Sequence, residues 1–158
     1  AVRDIVDEFE GVTVVYPIHK NPKVRSIAEE YLGGHERIEI IEPLDVVDFH
    51  NFAANSHIIL TDSGGVQEEA PSLAKPVVVL RDTTERPEGV EAGTLKLAGI
   101  EKQDIYDLTK ELLTNEDMYK RMSHAANPYG DGEASQRICE NIKYFYGVIN
   151  NKPESFRV

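Results

Sequence analysis

A chain of 158 residues, 41% of them apolar, is long enough for one globular domain with a sizeable core. Its 28 acidic and 17 basic residues give a formal charge of −11, which argues against a nonspecific nucleic-acid binder but not against a small anion held by backbone amides. No run nears the ~20 apolar residues that span a bilayer and no signal peptide is visible; the single Cys139 excludes an internal disulfide framework, so no membrane role and a cytoplasmic location are expected.

The pattern is helical from the outset: Val2, Ile5, Val6 and Phe9 share one face, with Gly11 as the expected C-terminal cap. There is no initiator Met and no leading segment, so a fragment of a longer protein is expected. Thr13–Tyr16 is a β-branched run predicted as a strand, and Pro17 with Asn21-Pro22 marks a loop. A helix over Val24–Leu32 closes at Gly33-Gly34. A strand over Arg37–Ile41 ends before Pro43, a helix follows over Leu44–Asn55, and Ser56–Leu60 is the third strand.

That strand runs into "TDSGGVQEEA", Thr61–Ala70. A short helix containing Pro71 is predicted over Val66–Leu73, then a strand over Pro76–Leu80. Arg81–Thr94 reads as a polar loop, and Leu95–Gly99 as a fifth strand. Helices over Gln103–Thr114, Glu116–Ser123 and Ser135–Val148 close the chain, with a loose tail from Asn150. Short apolar strands alternating with helices predict an α/β fold: a Rossmann-like parallel sheet with helices on both faces. Residues 1–149 form one domain in this reading, and 150–158 the tail. Ligands of such sheets bind beyond the carboxyl ends of the strands. The Thr61–Ala70 stretch, the loop holding His19 and the Arg81–Thr94 loop all lie at such ends.

Asp62-Ser63-Gly64-Gly65 admits three readings. A serine nucleophile would need a chymotrypsin-like β-barrel, or the Gly-x-Ser-x-Gly elbow of an α/β-hydrolase; Thr61 stands where either pattern has glycine. A phosphate cradle needs a strand end, glycines that let backbone approach the ligand, and a helix N-terminus; all three are predicted here. It is neither a Walker A loop nor Gly-x-Gly-x-x-Gly. A capped turn without a ligand is the third reading. Glu68 and Glu69 follow, and such a carboxylate can accept hydrogen bonds from ribose hydroxyls. Arg81 and Arg86 in the next loop can hold phosphate oxygens.

Together, "TDSGGVQEEAPSLAKPVVVLRDTTERPEGVEAGT", "VVYPIHKNP" and "IIEPLDVVDFHNF" closely resemble the non-hydrolysing UDP-N-acetylglucosamine 2-epimerases, over essentially the whole chain. The resemblance implies the C-terminal, nucleotide-binding half of a GT-B-like fold. It implies interconversion of UDP-GlcNAc and UDP-ManNAc, by elimination and re-addition of UDP, for cell-surface polysaccharide synthesis. No metal or redox cofactor is implied. Carried over by position, Ser63, Gly64 and Gly65 hold the diphosphate, Glu69 the ribose, Arg86 a phosphate, and Phe49 lies near the uracil. His19 matches a histidine near the nucleotide and near a second, regulatory nucleotide sugar. His35, His50, His57 and His124 are expected to have no role.

No catalytic residue is expected in this chain. The family's Thr-x-His-Arg-x-Glu-Asn segment and the acidic residues of an N-terminal domain would precede Ala1. That domain and a second copy of the chain are the implied protein partners. Ala74 departs from the family's usual glycine before Lys-Pro; a left-handed conformation there would cost roughly 1 kcal/mol. Two rival readings remain at this point: the donor domain of a GT-B glycosyltransferase, and a non-catalytic nucleotide-sugar sensor.

Overall fold

The computed structural model describes residues 1–156. Among them, helices and strands alternate: α1 (Val2–Glu8), β1 (Val14–Pro17), α2 (Pro22–Leu32), β2 (Ile38–Ile41), α3 (Val46–Asn55) and β3 (Ile59–Thr61). Then follow α4 (Gly64–Glu69), a 3₁₀ turn (Ala70–Leu73), β4 (Val77–Val79), α5 (Pro87–Ala92), β5 (Leu95–Leu97), α6 (Lys102–Thr114), α7 (Glu116–Ser123) and α8 (Ala134–Phe145). No helix among the described residues is long and apolar enough to cross a membrane.

All strand pairing is parallel, as the alternating pattern predicts. Hydrogen bonding divides the strands into two sheets where one was expected: β1 pairs with β2, and β3, β4 and β5 pair in that order. Register runs Val14↔Ile38 to Pro17↔Ile41 in the first, and Ile59↔Val77↔Leu95 to Thr61↔Val79↔Leu97 in the second.

The central strand β4 explains why the apolar runs are unbroken. Val77, Val78 and Val79 are all completely buried, because successive side chains point to opposite faces and both faces are covered. Val78 joins Ala98, Leu112, Met118 and Met122, beneath α6 and α7. Val77 and Val79 point the other way, against Ala70 and Leu95. At the N-terminal end α1 packs against α2 and α6, with ion pairs Asp4–Lys102 and Glu8–Lys110, each at 2.7 Å.

Several boundaries move for identifiable reasons. The third helix begins at Val46, not Leu44, because the Asp45 carboxylate caps it by accepting the Asp48 N–H at 2.9 Å. Gly11 does not cap α1; that position falls to Phe9, in extended conformation. Pro71 ends α4, because it lacks the N–H that would continue the α-helical ladder, and a 3₁₀ turn takes over. The stretch read as a polar loop contains α5, whose start at Pro87 uses a residue with φ already set for a first turn. Residues 150–156 carry no helix or strand.

Candidate functional site

The turn from β3 to α4 is built by short-range contacts. The Thr61 hydroxyl accepts the Ser63 N–H at 3.0 Å, which bends the chain away from the strand. Ser63 is the N-cap of α4 but its side chain makes no capping bond, so its hydroxyl stays uncommitted. The first backbone bond of the helix runs from the Gln67 N–H to the Ser63 carbonyl, at 3.2 Å. Helical geometry leaves the N–H groups of Gly64, Gly65 and Val66 without an intrahelical acceptor.

The two glycines mark the space above this turn. A methyl group on Gly64 would stand 2.6 Å from Glu85 Oε1 and 3.8 Å from Arg86 Nη2. One on Gly65 would stand 3.9 Å from Ser63 Oγ and 4.0 Å from Glu69 Oε1. Residues far apart in sequence thus converge on one small volume.

The segment after β4 overhangs the turn and is internally braced. Arg81 pairs with Glu85 at 2.8 Å. The Arg86 guanidinium binds Glu68 through Nε and donates from Nη1 to the Glu85 carbonyl at 3.0 Å. The Arg86 N–H donates to the Thr84 hydroxyl at 3.0 Å, and that hydroxyl donates to Gln67 Oε1 at 2.5 Å. On α5, Gly89 is buried because the Leu95 side chain and the Tyr129 hydroxyl occupy the place a Cβ would take. Burial pushes the Tyr129 hydroxyl pKa up. That hydroxyl lies over the Gly89 backbone without a hydrogen bond of good geometry.

The third wall is α3. His50 Nε2 meets Glu69 Oε2 at 3.0 Å, and Phe49, half-buried, lies beside His50 with ring centroids 6.1 Å apart. His19 follows β1. Its Nδ1 accepts the Asn21 N–H at 3.1 Å, so the neutral ring carries its proton on Nε2.

Of the residues singled out in the sequence, Ser63, Gly64, Gly65, Glu69 and Arg86 come together around the turn. Phe49 is joined to them through its neighbour His50. Among the described residues no hydrogen bond links His19 to this group. Gln67 and Tyr129 were not singled out, Thr84 stood only among the polar residues of the Arg81–Thr94 loop, and His50 was expected to have no role. Gln67 carried a faint signal, being a polar side chain at a position facing the sheet; His50 carried none. The assembly offers uncommitted backbone N–H groups, a hydroxyl and an arginine, which suit an anion, and the Glu69 carboxylate, which suits hydroxyl donors; the Glu85 carboxylate, nearest the Gly64 Cβ position, must turn aside to admit an anion there. No group of three or more His, Cys, Asp or Glu side chains that could hold a metal ion occurs among the described residues.

A family model described as UDP-N-acetylglucosamine 2-epimerase matches residues 1–143. The UDP-N-acetylglucosamine 2-epimerase of Bacillus subtilis (strain 168) is 66% identical over 156 residues, covering 99% of this chain and 41% of the relative. Among solved structures, the S. aureus MnaA–UDP co-structure superimposes with TM-score 0.91 at 62% identity, over 99% of this chain and 43% of that one. The Neisseria meningitidis UDP-GlcNAc 2-epimerase bound to UDP-GlcNAc gives 0.84 at 45% identity, over 89% of this chain and 38% of that one. The chain thus spans about two fifths of the length of the curated relatives it matches.

Proposed function

The chain belongs to the UDP-N-acetylglucosamine 2-epimerase family, and from that membership we propose that its glycine turn holds the UDP of a UDP-N-acetylhexosamine. The observation that carries this reading is the convergence of Ser63 Oγ, Glu69 Oε1 and Arg86 Nη2 within 4.0 Å of the places where Cβ atoms would stand on Gly64 and Gly65.

Each group has a task in this reading. The N–H groups of Gly64 and Gly65 and the Ser63 hydroxyl bind the diphosphate. Arg86 turns its free Nη2 to a phosphate oxygen. Glu69 accepts from the ribose hydroxyls, Phe49 lies along the uracil, and the Nε2–H of His19 donates to a nucleotide or to a second nucleotide sugar.

Residues 1–149 act as the nucleotide-binding domain of a GT-B-like enzyme. The full-length protein interconverts UDP-GlcNAc and UDP-ManNAc. UDP leaves C1 as the proton on C2 is removed; UDP then returns to C1 and C2 is reprotonated from the opposite face. This chain binds the leaving group, and so stabilises the charge that grows on the diphosphate as the C1–O bond breaks. In this reading the proton transfers at C2 belong to a domain that would precede this chain in the full-length protein. That domain and a second copy are its proposed protein partners. An exposed free thiol at Cys139 fits a reducing, cytoplasmic compartment.

Titration of UDP into the 158-residue chain, and assay of a full-length polypeptide containing it for UDP-ManNAc formation, test the proposal. Saturable binding that Ser63→Ala or Arg86→Ala weakens about tenfold is expected, as for loss of a hydrogen bond to a charged group. A full-length protein that does not bind UDP would remove the reading. A product that forms only with an added sugar acceptor would replace it with glycosyl transfer.

A further inference from the structure

Gln67 has none of its surface exposed, although it sits in the six-residue helix that opens the site. Its Oε1 accepts from the Thr84 hydroxyl at 2.5 Å, and Thr84 Oγ1 accepts from the Arg86 N–H at 3.0 Å. A hydroxyl has a single proton. Given to Gln67, it leaves the oxygen lone pairs free for Arg86. The chain of bonds therefore runs one way, from Arg86 N–H through Thr84 to the Gln67 carbonyl, and each bond polarises the next.

The chain ends where placement matters. Arg86 is the residue before α5, at φ −124 and ψ 58, outside the helical region, with Pro87 following. Its guanidinium is held by Glu68, the residue after Gln67. Two consecutive residues of α4 thus hold Arg86 from both ends: Gln67 fixes the backbone through Thr84, and Glu68 fixes the side chain.

The Gln67 amide also has a feature that packing does not explain. Among the described residues its buried Nε2 has no hydrogen-bond partner. A leucine of similar volume would fill the same space without stranding a donor.

We propose that Gln67 is a positioning residue: through Thr84 it sets Arg86 over the glycine turn, so that this arginine is in place before the diphosphate arrives. This rests on the reading that Arg86 meets a phosphate of UDP. Preorganisation of this kind raises affinity by removing the ordering of a loop from the binding step.

The test is calorimetric titration of UDP into the 158-residue chain and into a full-length polypeptide containing it. Wild type is compared with Gln67→Leu, Thr84→Val, Thr84→Ser, Arg86→Ala and the double variant Gln67→Leu/Arg86→Ala, with melting temperatures measured alongside. Gln67→Leu and Thr84→Val should each weaken UDP about five- to tenfold, the equivalent of one net hydrogen bond. Thr84→Ser, which keeps the hydroxyl, should bind as wild type. Gln67→Leu should melt at or above the wild-type temperature, since a stranded donor is gone. In the Arg86→Ala background it should change affinity no further, because the two act as one unit.

Unchanged affinity in Gln67→Leu overturns the proposal, as does a loss that persists undiminished without Arg86. A loss in Thr84→Ser equal to that in Thr84→Val overturns it too. UDP binding by wild type that ignores Arg86→Ala overturns this inference while leaving the UDP site standing. No UDP binding by the full-length wild type removes both.

Discussion

Glu69 divides its carboxylate between two neighbours: Oε2 meets His50 Nε2 at 3.0 Å, while Oε1 faces the turn, 4.0 Å from where a Gly65 Cβ would stand. Side chains this exposed, 42% for His50 and 47% for Glu69, gain little stability from pairing. The pairing orients the free oxygen instead. Glu69→Ala should therefore weaken UDP about tenfold, the loss of hydrogen bonds to a charged acceptor, yet leave pyrophosphate affinity unchanged or higher, since a negative charge has gone. Ser63→Ala should weaken both ligands. Calorimetry with the two ligands separates these effects. An equal loss of UDP and pyrophosphate in Glu69→Ala would sink the ribose assignment.

Gly64 and Gly65 border the proposed UDP site, but glycine serves a different purpose at Gly89. An added methyl on Gly64 meets Glu85 Oε1 at 2.6 Å, the far end of a flexible side chain that can turn aside. Gly64→Ala should fold with stability within about 1 kcal/mol of wild type, helped by alanine's helix preference. It should still lose UDP binding at least about tenfold, because the methyl stands in the path proposed for the phosphate. Gly89→Ala forces a methyl against Leu95 and Tyr129, and overpacking of that kind costs about 1–3 kcal/mol. Thermal melts with UDP titrations read both. Normal UDP affinity in Gly64→Ala would contradict the close approach of backbone to ligand.

The sequence carried the strands and helices far enough to place the glycine turn, since β4 reads as an unbroken valine run only if both its faces are covered. It placed Ser63 and Arg86 in the segments beyond strand ends and Glu69 on the helix that follows, while their roles toward UDP came from the family resemblance. It could not show that Arg86 is held between Glu68 and Glu85, or that His50 reaches Glu69. Those contacts depend on side chains of separate elements and leave no periodic trace. The helix α5 was hidden because its residues, PEGVEA, include two glutamates and only one large apolar side chain, Val90. Too little of an apolar stripe remained to declare a helical period.

Ala74 does adopt the left-handed conformation, at φ 56 and ψ 41, where it ends the 3₁₀ turn and donates its N–H to the Pro71 carbonyl at 3.1 Å. A β-carbon in that region crowds the following carbonyl. Ala74→Gly should stabilise the fold by about 0.5–1 kcal/mol after allowing for glycine's greater freedom when unfolded. For a chain of this size that raises the melting temperature by about 1–4 °C. Calorimetric melting of the two proteins decides it, and a lower melting temperature in the glycine variant would show that no strain is stored at this position.

Asp131 holds the start of α8. Its two oxygens grip the Arg137 guanidinium at 2.7 and 2.6 Å, and Oδ1 also accepts the Glu133 N–H at 3.1 Å. The Arg137 guanidinium first, and the Glu133 N–H second, keep the Asp131 carboxyl well below the usual carboxylate range. A folded-state pKa below the ordinary value, 3.8, makes a contribution that is present above that value. It fades as pH falls below it, when the proton that the unfolded segment accepts readily is forced on the folded one. No residue of α8 is buried, so the effect should be local. Amide exchange in α8 should quicken as pH drops below about 4, once corrected for intrinsic exchange rates. Asp131→Asn should exchange faster than wild type at neutral pH and show a flatter response to acid. An equal acid response in both proteins would mean that α8 is held by something other than this carboxylate.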